Sequence, residues 1–315
     1  MPRVVVVGSI NTDMTVRLPW LPVPGQTVLG GQFATTPGGK GANQAMAAWR
    51  AGGEVAFVAA VGDDALGQAA LRRYGEAGLD VTHVRVVGGV ASGVALIYVA
   101  DGGENMIAVA PGANGRLSPA MVKALPDSVF SSGGALVVGL EIPLETARAA
   151  MIRGREAGMT VILNPAPVGQ AAETAALLEH ADYATPNQDE ARALAGMEGS
   201  EFDPREAAER LLTMGPRGVV VTLGSRGCLA AEPGRCWRIS AAKVRAVDTV
   251  GAGDAYTGAV AVALAEGKTL VDAAVWASHA AALAVTRAGA QEALPTRSEI
   301  DRHASTGENL LIATT

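Results

Sequence analysis

The chain has 315 residues, of which 49% are hydrophobic and 18% are charged, a composition that favours a compact folded enzyme over a disordered chain. A formal net charge of −6 without a dense run of lysine or arginine argues against nucleic acid or an anionic membrane as the main partner. The apolar run after Met1 is too short for a signal peptide or a membrane span, so we expect a cytoplasmic protein.

The first predicted strand covers residues 4–7, a run of valines, and the polar residues Asn11 and Asp13 follow its carboxyl end. Ligands bind at that end of the strands in open α/β sheets, so both side chains are candidate ligand-binding groups. Formation of a turn is the alternative explanation for them. Residues 14–36 alternate in short pieces interrupted by prolines, a pattern typical of β-structure outside the main sheet.

Residues 37–53 change from a glycine-rich turn to an alanine-rich helix. The glycines of this turn would let a ligand approach the backbone closely, while Lys40 and Asn43 supply hydrogen bonds. A site of this kind could hold a sugar as easily as a phosphate.

Two alternating segments, residues 94–100 and 105–110, predict a hairpin around a glycine-containing turn. We pair this hairpin with the preceding proline-interrupted strands, which predicts a small β-sheet lid of about residues 12–36 and 92–111. No internal repeat or low-complexity linker divides the chain, so residues 1–315 are predicted to form one domain that includes the lid.

From residue 135 onward apolar strands alternate with helical segments, which predicts a parallel sheet covered by helices on both faces. Cys228 and Cys236 flank a predicted hairpin turn, and two reduced packing thiols are expected rather than a disulfide. The pattern weakens from about His303, so the last residues are expected to be loosely ordered.

Residues 247–259, VDTVGAGDAYTGA, read as a glycine turn that opens a helix. Gly251, Ala252 and Gly253 would leave backbone N–H groups free at the positive end of that helix, an arrangement that suits a transferring phosphate. Asp254 would repel a bound phosphate, so it is easiest to understand as a group that takes a proton from the attacking nucleophile. A role as helix N-cap is an equally good explanation from this segment alone.

Two familiar nucleotide-binding motifs do not match the chain. Gly267 begins a sequence that resembles the end of a P-loop, but Val262 stands where the first glycine of that motif belongs. Tyr256 stands where a dinucleotide fingerprint has its third glycine, which argues against a nicotinamide enzyme. The four histidines are scattered and offer no pair at the spacing of metal ligands.

A series of segments, in their order along nearly the whole chain, resembles the ribokinase/PfkB family of carbohydrate kinases. The resemblance implies a three-layer α/β/α sandwich whose mainly parallel central sheet carries a small β-sheet lid, and a homodimer formed through the lid. It also implies ATP-dependent phosphorylation of D-ribose at O5, giving D-ribose 5-phosphate, with Mg²⁺ and K⁺ as cofactors. The matching segments are GSINTDM at 8–14, PGGKGANQA at 37–45, NPAP at 164–167, TPNQDE at 185–190, TLGSRG at 222–227, VDTVGAGDAYTGA at 247–259 and VTRAGAQ at 285–291.

By this resemblance Asp254 is the general base, and Gly251, Ala252 and Gly253 form the anion hole for the transferring phosphoryl group. Hydrogen bonds to a sugar must replace those lost to water, so amide and acidic groups suit the sugar site. The implied sugar-binding residues are Asn11, Asp13, Gly39, Lys40, Gly41, Ala42, Asn43, Glu141 and Asp254.

The resemblance also assigns the nucleotide and metal sites. Glu190 would hold Mg²⁺ through its water shell, whereas a solvated helix face is the alternative explanation for this residue. Ser278 departs from the Asn or His frequent in the family, and Ala293 replaces a usual serine. The implied nucleotide-binding residues are Asn187, Thr222, Leu223, Gly224, Ser225, Arg226, Gly227, Gly253 and Ser278. The implied K⁺ site consists of the Asp248 side chain, the backbone carbonyls of Val250, Ala284, Arg287 and Gly289, and the position of Ala293.

Two alternatives stay open. The same chemistry could act on deoxyribose, fructose or a nucleoside, although Asn11 and Asp13 favour a sugar with a full set of ring hydroxyls. An aromatic content of 4% leaves little for stacking a nucleobase. A non-catalytic sugar or nucleotide sensor is the second alternative, but a sensor has no need of Asp254 beside an anion hole.

Overall fold

The computed structural model describes residues 1–198, 202–307 and 310–314. Short 3₁₀ turns at Gly112–Arg116, Asp127–Val129, Leu178–His180 and Gly224–Arg226 connect some of its regular elements. The strands are β1 Arg3–Val7, β2 Asn11–Leu18, β3 Gln32–Gly38, β4 Glu54–Gly62, β5 Val84–Val87, β6 Gly93–Ala100, β7 Asn105–Ala110, β8 Ala135–Val138, β9 Thr160–Leu163, β10 Tyr183–Ala184, β11 Gly218–Thr222, β12 Cys228–Glu232, β13 Arg235–Ile239 and β14 Leu311–Thr314. The helices are α1 Lys40–Arg50, α2 Ala65–Glu76, α3 Pro119–Lys123, α4 Leu144–Glu156, α5 Ala171–Ala175, α6 Gln188–Leu194, α7 Pro204–Leu212, α8 Ala252–Ala265, α9 Leu270–Ala284 and α10 Arg297–Thr306.

A ten-stranded sheet with the order β14-β13-β12-β11-β10-β9-β8-β1-β4-β5 forms the centre of the molecule. The strands from β11 to β5 are parallel, and β12, β13 and β14 extend one edge in antiparallel pairing. The apolar residues of β1 show why helices must cover both faces, because successive side chains point to opposite sides. Val4 and Val6 belong to one buried cluster, whereas Val5 and Val7 belong to another. The predicted mainly parallel α/β/α fold is confirmed.

Helices α1 and α8 pack closely on one face of this sheet, and Gly258 permits that approach. A Cβ atom built on Gly258 would lie 2.6 Å from the Ala47 Cβ and 2.8 Å from the Gln44 carbonyl oxygen. Such distances leave no room for a larger residue without separating the helices. The close packing brings the first turn of α8 beside the first turn of α1, where the candidate active site lies.

A separate four-stranded sheet has the order β3-β2-β6-β7. Strand β2 pairs antiparallel with β3 and parallel with β6, and β6 pairs antiparallel with β7. These strands correspond to the ranges of about 12–36 and 92–111 that the sequence assigned to a lid, except that β2 begins at Asn11 and β3 ends at Gly38. The sheet exposes large apolar side chains, including Phe33 at 66% and Ile107 at 58% of their surface.

The end of the chain differs from the sequence-based expectation. Helix α10 continues to Thr306, and β14 pairs with β13 at the edge of the main sheet, so these residues form regular elements that the weak sequence pattern did not predict. The physical reason is that β13 offers an unpaired edge, to which the last described residues add their backbone hydrogen bonds. Residues 308, 309 and 315, which the same expectation covered, lie outside the described residues.

The register of the β12–β13 hairpin places the two cysteines opposite other residues. Cys228 faces Ile239 and Cys236 faces Ala231, and both thiols are free and buried. Among the described residues, no helix has both the length and the apolar character needed to cross a membrane.

Candidate active site

A cleft of about 460 Å³ opens where the parallel strands β9, β10 and β11 end. It lies at the edge of the sheet where α/β folds bind ligands, because the loops after the strands meet there. The first turns of α1, α6 and α8 border it. The lining residues are Lys40, Asn164, Ala166, Thr185, Asn187, Gln188, Asp189, Glu190, Thr222, Leu223, Gly224, Thr249, Gly251, Gly253, Asp254 and Thr257.

Asp254 is the third residue of α8 and turns toward α1. Its Oδ2 accepts a hydrogen bond from Asn43 Nδ2 at 2.9 Å, and its Oδ1 accepts one from Gln44 Nε2 at 3.0 Å. Gly251 is the N-cap residue of α8, so the capping explanation for Asp254 is wrong. The carboxylate is therefore held from the neighbouring helix, with its side chain 6% exposed at the cleft.

Opposing influences act on the pKa of Asp254. Burial raises it, whereas the Lys40 ammonium and the hydrogen bonds from Asn43 and Gln44 lower it, and the net direction is upward. A carboxylate with a raised pKa is a stronger base than an exposed one, and the donors around it favour its ionised form. This combination suits a group that accepts a proton.

The turn before α8 has the backbone conformation that the glycine pattern predicts. Gly251 has a φ of 75°, and a Cβ atom there would lie 3.1 Å from the Cα of Ala290. Gly253 is exposed at the cleft, and a Cβ atom there would meet nothing within 4 Å. The N–H of Ala252 donates to the carbonyl of Thr249 at 3.3 Å.

Glu141 connects the turn after β1 with the start of α1. Its Oε2 accepts hydrogen bonds from the Ser9 hydroxyl, from Lys40 N at 2.9 Å and from Asn11 Nδ2 at 3.5 Å. Asn11 is 4% exposed, and its Oδ1 accepts a bond of 2.7 Å from Asn114 Nδ2. The structure thus joins three predicted sugar-site residues, Asn11, Lys40 and Glu141, in one cluster.

The glycines of the PGGKGAN segment allow two backbones to cross. A Cβ atom on Gly41 would lie 2.3 Å from Ser9 N, and one on Gly39, whose φ is 89°, would lie 2.7 Å from Asn11 N. The N–H of Ala42, which has no exposed surface, donates to Ser9 O at 2.8 Å. These residues hold α1 against the turn after β1, so they shape the site through the backbone.

Asp13 lies directly over Gly38, where a Cβ atom would come within 2.2 Å of its carboxylate. Burial and the nearby charges of Glu141 and Asp254 raise the pKa of Asp13 to about 6. Asp13 therefore titrates much closer to neutral pH than an exposed aspartate does.

Lys40 is the cation of this acidic site. Burial lowers its pKa, but the charges of Asp254, Glu141 and Glu190 raise it, and the net direction is upward. The ammonium group therefore stays charged at neutral pH in a cleft that contains several carboxylates.

Asn187 and Glu190 form a capping box at the start of α6. Asn187 Oδ1 accepts from Glu190 N at 2.9 Å, and Glu190 Oε2 accepts from Asn187 N at 2.8 Å. This gives the N-x-x-E motif a structural role beside its predicted metal role. Both residues line the cleft, and burial raises the pKa of Glu190.

The predicted nucleotide loop follows β11 and lies beside the capping box. Thr222 forms an isolated parallel bridge with Asn187, and Arg226 hydrogen-bonds to Gln188. Thr222, Leu223 and Gly224 line the cleft, whereas Ser225, Arg226 and Gly227 do not. Ser278 is also absent from the lining: its hydroxyl donates to Ala274 O at 2.8 Å, in a buried position.

The predicted K⁺ ligands lie on two adjacent loops that Asp248 joins. Asp248 Oδ1 accepts from Val250 N and Oδ2 accepts from Gly289 N, both at 3.0 Å. The carbonyl of Ala284 accepts from Arg287 N at 3.3 Å, and Ala293 is fully buried. Within residues 1–198, 202–307 and 310–314, no three His, Cys, Asp or Glu side chains form a group that could hold a metal ion.

Sequence reasoning missed several side chains that support the site. Gln44, with no exposed surface, donates through Nε2 to both Asp254 and Asn164, the latter at 2.9 Å. Asn114 fixes the backbone of Ile10 through bonds of 2.9 and 3.0 Å. Gln44 occurs within a segment that the sequence singled out, but a linear motif does not reveal which neighbour a side chain will contact.

Known proteins are similar to this chain in sequence and in architecture. The model of the pfkB family carbohydrate kinases matches residues 1–297. A ribokinase of Haemophilus influenzae is 37% identical over 295 residues, covering 93% of this chain and 95% of that protein. A deoxyribokinase of Salmonella typhimurium is 32% identical over 306 residues, 97% of this chain and 99% of that protein.

A solved structure of Arabidopsis thaliana ribokinase complexed with ribose and ATP superimposes with a TM-score of 0.83 at 30% identity, covering 96% of this chain and 98% of that one. The family match extends over most of the chain, and the relatives span nearly all of it. The chain therefore belongs to the pfkB family of carbohydrate kinases.

Proposed function

We propose that this chain transfers the γ-phosphoryl group of ATP to O5 of D-ribose. The observation that carries the proposal is the buried Asp254 carboxylate, which Asn43 and Gln44 hold at the cleft beside the glycine turn of α8. The relative from Haemophilus influenzae is a ribokinase, and the Arabidopsis thaliana structure holds ribose and ATP. Both findings support ribose as the acceptor.

In this mechanism the O5 hydroxyl faces Asp254 and the γ-phosphoryl group faces the turn at residues 251–253. Asp254 takes the hydroxyl proton as O5 attacks phosphorus, the new O5–P bond forms, and the bond between the γ-phosphorus and the bridging oxygen of ADP breaks. The backbone N–H groups of Gly251 and Gly253 would stabilise the charge on the transferring group, whereas the N–H of Ala252 already donates to the carbonyl of Thr249. Asn11, Asp13, Asn43 and Glu141 offer hydrogen bonds to the sugar hydroxyls.

The residues present fit Mg²⁺ at the nucleotide side of the cleft. Asp189, Asn187 and Glu190 provide oxygen ligands there, and Mg²⁺ usually combines one or two carboxylates with water and phosphate oxygens. When bound, the ion would neutralise phosphate charge. Glu190 would act through a water molecule, because Mg²⁺ loses its hydration shell reluctantly and usually keeps several waters.

The proposal includes a monovalent cation, K⁺, at the two loops that Asp248 joins. We infer that the Asp248 carboxylate and backbone carbonyls of Val250, Ala284, Arg287 and Gly289 hold it. Its contribution would be to hold the glycine turn before α8 in place, since that turn packs against Ala290. Ala293 supplies no side-chain oxygen, so weaker cation affinity is expected than with serine.

The small sheet is proposed to cover the sugar and to form the interface of a homodimer. Its exposed apolar side chains support this assignment, because contiguous apolar patches mark protein contacts. Closure over the sugar would exclude water and limit hydrolysis of ATP. Sedimentation analysis that finds only monomers would contradict the dimer. A cytoplasmic location stays a prediction.

A coupled assay of ADP release over a panel of sugars tests the proposed function. D-ribose is expected to give the highest kcat/KM, with deoxyribose, fructose and adenosine as competitors. Deoxyribose is the specific rival, because one relative is a deoxyribokinase. A preference of more than about tenfold for another acceptor, equivalent to roughly 1.4 kcal/mol, would overturn the assignment.

The binding of ribose is expected to weaken at low pH because Asp13 becomes protonated. The pKa of Asp13 is raised to about 6, so its carboxylate is charged above that pH and neutral below it. A charged acceptor forms stronger hydrogen bonds with sugar hydroxyls, so KM for ribose should rise about fivefold as pH falls from 8 to 5. Steady-state kinetics of the wild type and of Asp13→Asn measure this effect. If KM for ribose rises as steeply with falling pH in Asp13→Asn as in the wild type, another group is responsible for the pH dependence.

A further inference from the structure

Gln291 is a buried polar residue in the loop between α9 and α10, with 6% of its surface exposed. Its Nε2 donates to Asn43 Oδ1 at 2.9 Å and to the Tyr74 hydroxyl at 3.1 Å. The proposed reaction assigns no task to this residue. One of its hydrogen bonds nevertheless ends on the Asn43 amide, which holds the proposed general base.

An amide has a donor end and an acceptor end, so its direction decides what it offers to a neighbour. Gln291 Nε2 engages Oδ1 of Asn43, which leaves Nδ2 of Asn43 to donate to Asp254 Oδ2 at 2.9 Å. The reversed amide would place its oxygen against the carboxylate, where two acceptors repel each other. Gln291 thus selects the productive direction of Asn43.

Gln291 is itself fixed by its surroundings. Its amide nitrogen is shared between two acceptors, and one of them, Tyr74, is 1% exposed and packs edge-on against Phe57 with ring centroids 6.4 Å apart. The same loop also contacts the turn before α8, because Gly289 N donates to Asp248 Oδ2 at 3.0 Å. One loop therefore contacts both Asp248, just before the candidate anion hole, and the Asn43 amide that holds Asp254.

We propose that Gln291 is a positioning residue for phosphoryl transfer, which fixes the orientation of the Asn43 amide and, through it, the direction of the Asp254 carboxylate. The inference rests on the proposed role of Asp254 as general base. Gln291 acts through Asn43, so its removal should affect turnover and pH dependence more than folding.

The variant Gln291→Met keeps a similar volume and removes the donor. We expect kcat/KM for ribose to fall about tenfold, which corresponds to the loss of one buried hydrogen bond. The acidic limb of the kcat/KM profile should also move to higher pH. An oriented donor lowers the pKa of Asp254, so losing it raises that pKa and leaves the base protonated at a higher pH. Glu292→Gln, an exposed neighbour, is the matched control and should leave the limb in place.

A double-mutant cycle with Asn43→Ala separates this role from a merely structural one. In the Asn43→Ala background, Gln291→Met should lower kcat/KM by less than about twofold, because the residue through which it acts is absent. A full additional loss in that background, or an unmoved acidic limb in Gln291→Met, would overturn the proposal.

Tyr74→Phe provides a second variant should Gln291→Met fail to fold. It removes one acceptor that fixes Gln291, so a smaller shift of the acidic limb in the same direction is expected. An unmoved limb in Tyr74→Phe would then contradict the inference. A wild-type chain that does not phosphorylate ribose would instead contradict the proposed function.

Discussion

Asp254→Asn is expected to lower kcat for ribose phosphorylation by about 10²-fold or more while leaving the affinity for ribose nearly unchanged, the scale usual for a positioned acid–base group. Asparagine keeps the shape of the side chain but accepts no proton at neutral pH. Only one of Asn43 and Gln44 can still donate to its amide oxygen, because the amide nitrogen that replaces the second carboxylate oxygen is itself a donor, but the volume of the side chain is kept. The loss should therefore fall on turnover rather than on binding.

Steady-state kinetics and calorimetric titration with ribose measure the two quantities separately. Asp272→Asn is the matched control, because Asp272 is the third residue of α9 as Asp254 is of α8, but it is exposed and bonds to Thr269. That variant should keep wild-type kcat. If Asp254→Asn retains most of its turnover, the general-base assignment is wrong and a non-catalytic sensor becomes the better explanation.

Lys40→Met should lower kcat/KM by about 10²-fold, comparable to the loss of one preorganised donor from an anion-binding site. Lys40 lies in the cleft, and its charge lowers the pKa of Asp254. Removing the ammonium group takes away a counter-charge for the phosphates and also raises the pKa of Asp254. The acidic limb of the pH profile should consequently move to higher pH.

The pH profile of kcat/KM measures that second effect, and Lys40→Arg should restore part of the activity because it keeps the positive charge. Lys268→Met is the control for charge removal, since Lys268 lies in the loop between α8 and α9 and pairs with Glu266 at 3.7 Å. Wild-type kinetics in Lys40→Met would show that the cleft residue contacts neither the phosphates nor the base.

Much of the fold followed from local patterns. The valine run of β1 predicted a buried strand, and the alternation of strands and helices after residue 135 predicted a parallel sheet with two covered faces. The hairpin of β6 and β7 followed from its turn residues and its alternating apolar side chains. These predictions succeeded because each depends on residues that are close together in the chain. The prediction for the end of the chain missed β14, because this strand forms only when β13 offers its edge.

The candidate site also has some features that local sequence predicts and others that depend on distant residues. The GAGD turn suggested an anion hole from sequence alone, because glycine conformation and helix polarity are local properties. The orientation of the Asp254 side chain depends on residues that are distant in the chain. The segment around Asp254 therefore left the roles of helix cap and general base equally possible. The structure excludes the cap, since Gly251 is the N-cap residue of α8, and Asp254 instead accepts a hydrogen bond from Asn43, 211 positions away in the chain.

The sequence by itself determined the family, the fold class and the segments that border the cleft, because these depend on residue order and on short-range periodicity. Only the tertiary structure decided which amides hold the base and which residue orients them. The bond from Gln291 to Asn43 spans 248 positions and becomes possible only when the loop after α9 packs against α1. Hydrogen bonds depend on distance and direction in space, and the order of residues along a chain specifies neither until the chain has folded.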